Sequence, residues 1–151
     1  MARQTEVVLL FLLITAATAY GKCPNGWVEY EGRCFFYQGS SIEWTSAEKH
    51  CLNLGAHLVS IHSYNEYQLV KSLIRAHDPQ ENPTWIGLSG CQKKFNWLWS
   101  DGSRLTFTEW NPNEPNFSKQ ECCVHMNFGN AKNWNDAPCQ YTYPFVCARS
   151  I

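Results

Sequence analysis

The stretch that organises this chain runs Glu114-Pro115-Asn116-Phe117-Ser118-Lys119-Gln120-Glu121, and Trp134-Asn135-Asp136 follows it downstream. This region has almost no regular hydrophobic period, so it cannot hold its shape by burying an apolar face. Three carboxylates and two carboxamides, all hard oxygen donors, come together if the two segments meet. Such a set is typical of a calcium site. The rest of the chain should therefore contain whatever brings the two segments together.

The composition is that of one exported domain. The chain has 151 residues and a formal charge of −1 at neutral pH, which gives no sign of a nucleic acid or an anionic membrane as a partner. Arg3, an apolar run over residues 7–17 and a small-residue cleavage site make residues 1–19 a predicted secretory signal peptide. Residues 20–151 are then one secreted, extracellular domain. No second long apolar run follows, so membrane insertion is not predicted.

Eight cysteines follow the predicted signal peptide, an even number that favours disulfides in an oxidising compartment. A zinc site is the alternative, but the sequence has no C-x-x-C pair, and two adjacent cysteines chelate a metal poorly. The residues alone leave on the order of a hundred possible pairings. The half-cystines are Cys23, Cys34, Cys51, Cys91, Cys122, Cys123, Cys139 and Cys147.

Two amphipathic helices are predicted in the first half of the chain. Over residues 41–54 apolar side chains recur at helical spacing, and Gly55 can end a helix in the left-handed conformation. Ser63-Tyr64-Asn65-Glu66 has the capping-box form that starts a second helix, and Asp78-Pro79 ends it. The side chains expected to face the core are Trp44, Ala47, Cys51 and Leu54, then Tyr67, Val70, Leu73 and Ile74.

Short strands make up most of the remaining regular structure. Residues 23–37 form a predicted hairpin about Glu31-Gly32, and helical period disappears after residue 79. The order is strands, two helices, and then strands around a long irregular segment, which indicates an α+β domain. Long segments of this kind inside a compact domain are usually functional. The other predicted strands cover residues 56–61, 84–88, 95–99, 123–127, 132–135 and 145–148.

Several motifs, in this order and spacing, resemble the C-type lectin domain. The resemblance covers the chain from Cys23 to Arg149, and the adjacent Cys122 and Cys123 with the extra Cys91 are most similar to small secreted fish lectins related to type II antifreeze proteins. It implies two helices, two small antiparallel sheets and a long irregular loop region held by disulfides. The motifs are the Cys23 to Cys34 hairpin, Trp85-Ile86-Gly87-Leu88, Trp97-Leu98-Trp99-Ser100-Asp101-Gly102, Glu114-Pro115-Asn116, Trp134-Asn135-Asp136 and Phe145-Val146-Cys147.

The resemblance also implies a disulfide pairing and one sugar-binding Ca²⁺ site. The pairing is Cys23–Cys34, Cys51–Cys147 and Cys123–Cys139, with the remaining Cys91 joined to Cys122. The site residues, all of the expected type, are Glu114, Asn116, Glu121, Asn135 and Asp136. Calcium takes about six to eight oxygens, so these groups leave room for two vicinal hydroxyls of a hexose.

Glu114-Pro115-Asn116 resembles the tripeptide of lectins that prefer mannose, glucose, fucose or N-acetylglucosamine. We expect a cis bond before Pro115 in the calcium-loaded form, because it would turn the Glu114 and Asn116 side chains to the same side. One calcium is expected rather than two, since residues 89–96 carry no carboxylate and Phe117 stands where an auxiliary site needs an acid. Asn116-Phe117-Ser118 is also a glycosylation sequon, which we expect to be largely unoccupied.

Other functions remain alternatives. A galactose-binding lectin is possible despite the tripeptide, and a calcium-dependent type II antifreeze surface could order water instead of sugar. An enzyme is not predicted: Glu114 and Glu121 could be drawn as an acid and base for glycoside hydrolysis, but both are used as calcium ligands, and no nucleophile motif is present. The expected partners are hexose-containing glycans on cell or microbial surfaces. A shallow site binds one sugar weakly, so a homo-oligomer would add avidity.

Overall fold

The structure, a computed structural model, describes residues 22–151, so the predicted signal peptide lies outside the described residues. Two helices and eight strands form one α+β domain. No helix in this part of the chain is long and apolar enough to cross a membrane. The helices are α1 (Trp44–Asn53) and α2 (Tyr64–His77). The strands are β1 (Val28–Tyr30), β2 (Arg33–Ile42), β3 (His57–Leu58), β4 (Thr84–Ser89), β5 (Leu98–Trp99), β6 (Cys123–Phe128), β7 (Asn133–Ala137) and β8 (Tyr143–Ser150).

Both predicted helices are confirmed, but Leu54, expected to face the core, follows the end of α1 and is exposed. Helix α1 begins at Trp44 rather than near residue 41, because β2 continues as a strand to Ile42. Gly55 follows α1 with φ +70°, the left-handed conformation predicted for it. At the start of α2, the Ser63 hydroxyl accepts a hydrogen bond from the backbone N–H of Glu66 at 3.1 Å, which is the predicted cap.

The sheet joins two antiparallel groups. Strands β1, β2, β8 and β3 form one group, and β5, β4, β6 and β7 form the other. A parallel pairing of Trp85 with Phe145 connects β4 to β8 and makes one sheet of eight strands. The two predicted sheets are thus continuous. This junction places the middle of the chain beside its last strand.

Two predicted strands are much shorter in the structure. In the segment 56–61 only His57 and Leu58 form a strand, although Val59 N–H also donates to the Val146 carbonyl of β8 at 2.8 Å. The segment 95–99 keeps only Leu98 and Trp99, because Phe95 has φ +61° and cannot continue a strand. Ile61 and Trp97, whose apolar side chains suggested longer strands, lie outside the strands and pack in the core.

Gly87 explains why the Trp85-Ile86-Gly87-Leu88 motif contains a glycine. A Cβ atom at this position would lie 2.6 Å from the carbonyl oxygen of Leu58, which is far too close. The backbone of β4 therefore approaches the β3 region directly, and Gly87 N–H donates to the Val59 carbonyl at 2.8 Å. The same strand contributes the fully buried Trp85, Ile86 and Leu88 to the core.

All eight cysteines are paired in four disulfides. The pairs are Cys23–Cys34, Cys51–Cys147, Cys91–Cys122 and Cys123–Cys139, the pairing that the resemblance implies. Cys51–Cys147 connects α1 to β8 inside the core, where both residues are fully buried. The last two bridges lie at the base of the irregular region and hold it against β6.

The irregular region is anchored to β7 by backbone pairing. Trp134 N–H donates to the Glu109 carbonyl at 2.9 Å, and Asn111 N–H donates to the Trp134 carbonyl at 2.9 Å. The buried Asn111 side chain also donates from Nδ2 to the Phe128 carbonyl at 2.9 Å. These bonds bring the segment that precedes Glu114 to the strand that carries Asn135 and Asp136. The region of Glu114 is thereby held next to Asn135 and Asp136.

Candidate functional site

The candidate site lies where residues 113–121, called the ligand loop below, meet β7. Asp136 is fully buried, and its two carboxylate oxygens accept hydrogen bonds from the loop backbone. Asn116 N–H donates to Oδ1 at 3.2 Å, and Phe117 N–H donates to Oδ2 at 2.6 Å. Charge-assisted bonds of this kind are stronger than neutral ones. Asp136 therefore fixes the middle of the loop, and each oxygen retains a lone pair for another partner.

The loop backbone is tightly wound. Asn113, Phe117, Lys119 and Gln120 all have positive φ, between +50° and +67°, which is uncommon for residues other than glycine. The Asn116 side-chain oxygen accepts from the Ser118 N–H at 3.0 Å and stabilises the turn. The Glu114–Pro115 peptide bond is cis. The loop is thus held by hydrogen bonds, both its own and those to Asp136, and the Phe117 ring adds apolar packing.

The Glu114 carboxylate is the clearest structural sign that this site favours a cation. Its Oε1 atom is buried and has no hydrogen-bond partner among residues 22–151. Burial, together with the charges of Asp136 and Glu121, raises the pKa of Glu114. A buried acceptor without a partner is rare and costly in a native protein, and here it faces two other acids. A cation beside Glu114 would satisfy this oxygen and remove the repulsion.

Glu121 completes the acidic set, although the carboxylate oxygens of the three acids do not form a tight cluster. Burial and the charge of Asp136 raise the pKa of Glu121, and nearby Lys119 opposes that shift. Within residues 22–151, only four cysteines, all in disulfides, bring three or more possible ligand atoms within 4.8 Å of one another. The carboxylates of Glu114, Glu121 and Asp136 do not form such a group. The chemistry of the donors fits a hard cation. Their present spacing is looser than a closed metal site.

Asn135 is oriented by a histidine on the neighbouring strand β6. Its Nδ2 lies 3.1 Å from Nε2 of His125, its register partner on β6. His125 Nδ1 lies 3.0 Å from the Met126 carbonyl, so that nitrogen must carry the proton. Burial lowers the pKa of His125 to about 4, and the neutral ring accepts at Nε2. The Asn135 amide must therefore present its nitrogen to His125, which leaves its oxygen available to the site.

We expect His125→Phe to weaken calcium binding by about 10 to 100-fold, the range typical of groups that orient a metal ligand. Phenylalanine keeps the ring packing against Trp85 and Tyr143 but removes the acceptor that holds the Asn135 amide. Calorimetric calcium titration measures the change, with thermal unfolding as a check on folding. His77→Phe, which retains stacking on Tyr37 far from the loop, is the matched control. Equal calcium affinity of His125→Phe and the wild-type protein would refute this role.

An aromatic group supports the outer side of the loop. The Phe117 ring packs against Phe95 and Trp97, with centroid distances of 5.5 and 6.0 Å. Lys94 Nζ lies over both phenylalanine rings, 5.2 and 5.7 Å from their centroids. A pocket of about 370 Å³ opens beside Phe117, between Gln120 and the Cys91–Cys122 bridge. The larger cleft, about 590 Å³, is elsewhere and contains none of the predicted site residues.

Comparison with known proteins places these features in a family. Residues 40–149 match the family described as the lectin C-type domain. The chain is 40% identical over 128 residues to a type-2 ice-structuring protein of Osmerus mordax, covering 85% of this chain and 71% of that protein. It is 42% identical over 132 residues to lactose-binding lectin l-2 of Anguilla japonica, covering 84% and 78%.

Solved structures share the same fold. The herring type II antifreeze protein superimposes with a TM-score of 0.81 at 36% identity, covering 85% of this chain and 99% of that one. A calcium-independent type II antifreeze protein gives 0.75 at 32% identity, covering 85% and 95%. The family and these relatives are binding proteins, so this chain is a binding protein and not an enzyme. Its fold, its four bridges and its sequence together show that the chain belongs to the C-type lectin domain family.

Proposed function

We propose that this protein is a secreted lectin that binds hexose-containing glycans through one calcium ion. The observation that carries the proposal is the buried Glu114 oxygen without a partner, which lies beside the acids Glu121 and Asp136. With the amide oxygens of Asn116 and Asn135, these acids are the hard donors that calcium prefers. A bound calcium would act as a Lewis acid toward two sugar hydroxyls.

The protein groups would read the direction of each hydroxyl. A hydroxyl both donates and accepts, so it can give its proton to Glu114 or Glu121 and accept from a carboxamide N–H₂ group. Asn135 has one amide hydrogen engaged with His125 and a second one available. Asn116 has its amide nitrogen free of the bond that its oxygen makes to Ser118. Acid and amide side chains thus offer the two complementary halves of a diol-recognition site.

The order Glu114-Pro115-Asn116 supports a preference for equatorial vicinal hydroxyls, as in mannose. The eel relative is named for lactose, which makes galactose the competing ligand. Competition for mannan-coated beads in calcium separates the two, with mannose and galactose as soluble competitors. Stronger inhibition by mannose supports the proposal, and stronger inhibition by galactose would replace it.

Ice is the second candidate ligand, because relatives at 36% and 40% identity are named as type II antifreeze or ice-structuring proteins. The same loop could order water on its surface. Thermal hysteresis of the purified protein tests this directly. Hysteresis without binding to any glycan would favour ice, whereas glycan binding without hysteresis favours the lectin.

Calcium binding should depend on pH in a defined direction. Burial and neighbouring charges raise the pKa of Glu114 and of Glu121 above the ordinary 4.5, so the calcium-free fold favours their protonated forms. The protonated carboxyls contribute their full stabilisation below about pH 4.5. That stabilisation is lost as the pH rises through the raised pKa values of the folded protein. Calcium needs the ionised forms and compensates for that loss.

We therefore expect added calcium to raise the unfolding temperature at about pH 7 and to have little effect near pH 4. Differential scanning calorimetry with and without a chelator measures both. Magnesium at the same ionic strength is the control for unspecific screening. A calcium effect of the same size at both pH values would contradict the assignment of these acids as ligands.

The sequon at Asn116 conflicts with the proposed site, since a glycan there would occupy the amide that must meet the ligand. We expect Asn116 to be largely unmodified in protein secreted from a eukaryotic host. Intact mass spectrometry before and after an N-glycosidase measures occupancy. A mass shift on most molecules would mean that Asn116 is not a ligand in the mature protein.

A further inference from the structure

Two disulfides lie against each other beside the ligand loop. One joins Cys91 to Cys122 and the other joins Cys123 to Cys139. Sulfurs of different bridges are nearly in contact: Cys139 Sγ lies 3.4 Å from Cys122 Sγ and 3.5 Å from Cys91 Sγ, and Cys91 Sγ lies 3.9 Å from Cys123 Sγ. All four sulfurs lie within 4.8 Å of one another. A thiolate released from one bridge would therefore have the other bridge within reach.

A small molecule can approach this cluster from one side. The 370 Å³ pocket beside the loop is lined by Cys91, Cys122 and Cys139, together with Phe117 and Gln120. Cys91 is exposed, Cys122 and Cys139 are half-buried, and Cys123 is buried. Access, and the pKa of the thiol that departs, decide which sulfur of a disulfide is attacked. An external thiol would therefore meet Cys91 first.

The geometry points to a thiol–disulfide exchange site at this cluster, where a small thiol converts the two bridges to Cys91–Cys123 and Cys122–Cys139 and so changes how the ligand loop is tethered. This exchange goes beyond the proposed lectin function and does not depend on it. The Cys23–Cys34 and Cys51–Cys147 bridges take no part in it, because their sulfurs are not in the group of four that lie within 4.8 Å of one another.

Three exchange steps account for every bond and electron. The external thiolate bonds to Cys91 Sγ, the Cys91–Cys122 bond breaks, and Cys122 leaves as a thiolate. Cys122 then bonds to Cys139 Sγ across 3.4 Å, and the Cys123 thiolate is released. Cys123 finally bonds to Cys91 Sγ across 3.9 Å and expels the external thiolate. No net oxidation occurs, so the thiol acts as a catalyst and no oxidant is needed.

The exchange would act on the ligand loop through its end. Cys122 follows Glu121 directly, whereas Cys123 begins β6 and pairs with Ala137 of β7. In the present structure Cys139 is tethered to the strand. In the exchanged form it is tethered to Cys122, at the end of the loop. The loop would thus be pulled toward the segment that follows Asp136.

The test treats the whole folded protein, without oxygen, with a small amount of reduced glutathione as the probe. Free thiols are then trapped by alkylation in acid, and the bridges are mapped by tandem mass spectrometry with fragmentation between Cys122 and Cys123. We expect the Cys91–Cys123 and Cys122–Cys139 isomer to appear, with the other two bridges unchanged. Hydrogen exchange of residues 113–121 should differ between the separated isomers.

Two controls make the result specific. S-methylglutathione, which has the same size but no thiol, should produce no isomer. The double variant Cys91→Ser with Cys122→Ser should keep Cys123–Cys139 and form no new intramolecular bridge. Treatment of the wild-type protein that yields only native bridges and mixed disulfides, or bridges to Cys34 or Cys147, would overturn the exchange site. Equal hydrogen exchange of the loop in both isomers would overturn its link to the loop.

Discussion

Asp136→Asn should lower calcium affinity by at least about 100-fold, beyond the range typical of groups that only orient a ligand. The change removes one of three negative charges from the site. Asp136 now accepts hydrogen bonds from the backbone N–H groups of Asn116 and Phe117, at 3.2 and 2.6 Å. The asparagine would place an N–H₂ group against one of these two donors. The variant would therefore lose a proposed calcium ligand and the anchor of the ligand loop together. Isothermal titration with calcium measures the affinity.

Asp101→Asn is the matched control for this experiment. Asp101 is half-buried rather than fully buried, but its carboxylate likewise accepts hydrogen bonds, and its donors are Ser60 and Ser103, outside the ligand loop. We expect this variant to lose some stability and to bind calcium as the wild-type protein does. Wild-type affinity in Asp136→Asn, or an equal loss in Asp101→Asn, would show that Asp136 has no special role.

The second large effect concerns stability. Replacing Cys51 and Cys147 together by alanine should lower the free energy of unfolding by about 4 to 5 kcal/mol, the value that the loop-closure argument gives for a bridge across 96 residues. Both half-cystines are fully buried, between α1 and β8, so alanine leaves a small cavity and no new polar group. Chemical denaturation of the calcium-free protein gives the measurement.

The paired replacement of Cys23 and Cys34 by alanine provides the comparison. Its bridge spans only 11 residues, and the same argument gives about 3 kcal/mol. The long-range bridge should thus matter more than the local one. A larger loss from the Cys23 and Cys34 variant would mean that the entropy of the unfolded chain is not what these bridges mainly control.

The sequence predicts local structure well where one residue type has a specific backbone role. Ser63 caps α2 and Gly55 ends α1, as their positions indicate, because each solves a problem that involves only its near neighbours. The strand at residues 95–99 was predicted too long, since an apolar run says nothing about whether its backbone finds a partner. Phe95 instead takes a left-handed conformation and packs on Phe117.

The candidate site divides along the same line. The five proposed ligands follow from residue type and the family resemblance, and the structure brings Asp136 to the loop backbone. The bond between His125 and Asn135 depends on the register of β6 with β7, which no local pattern encodes. The contact between two disulfides is likewise a matter of tertiary distance. The family resemblance implies which cysteines are bonded to each other, but not that the two bridges lie in contact.

The proposed calcium site is tested most directly by a glycan array probed twice with the same protein, once in calcium and once in excess chelator. We expect binding to hexose glycans with equatorial vicinal hydroxyls in calcium, and loss of all binding in chelator. Glycan binding that persists in chelator would contradict the calcium site on Glu114, Asn116, Glu121, Asn135 and Asp136.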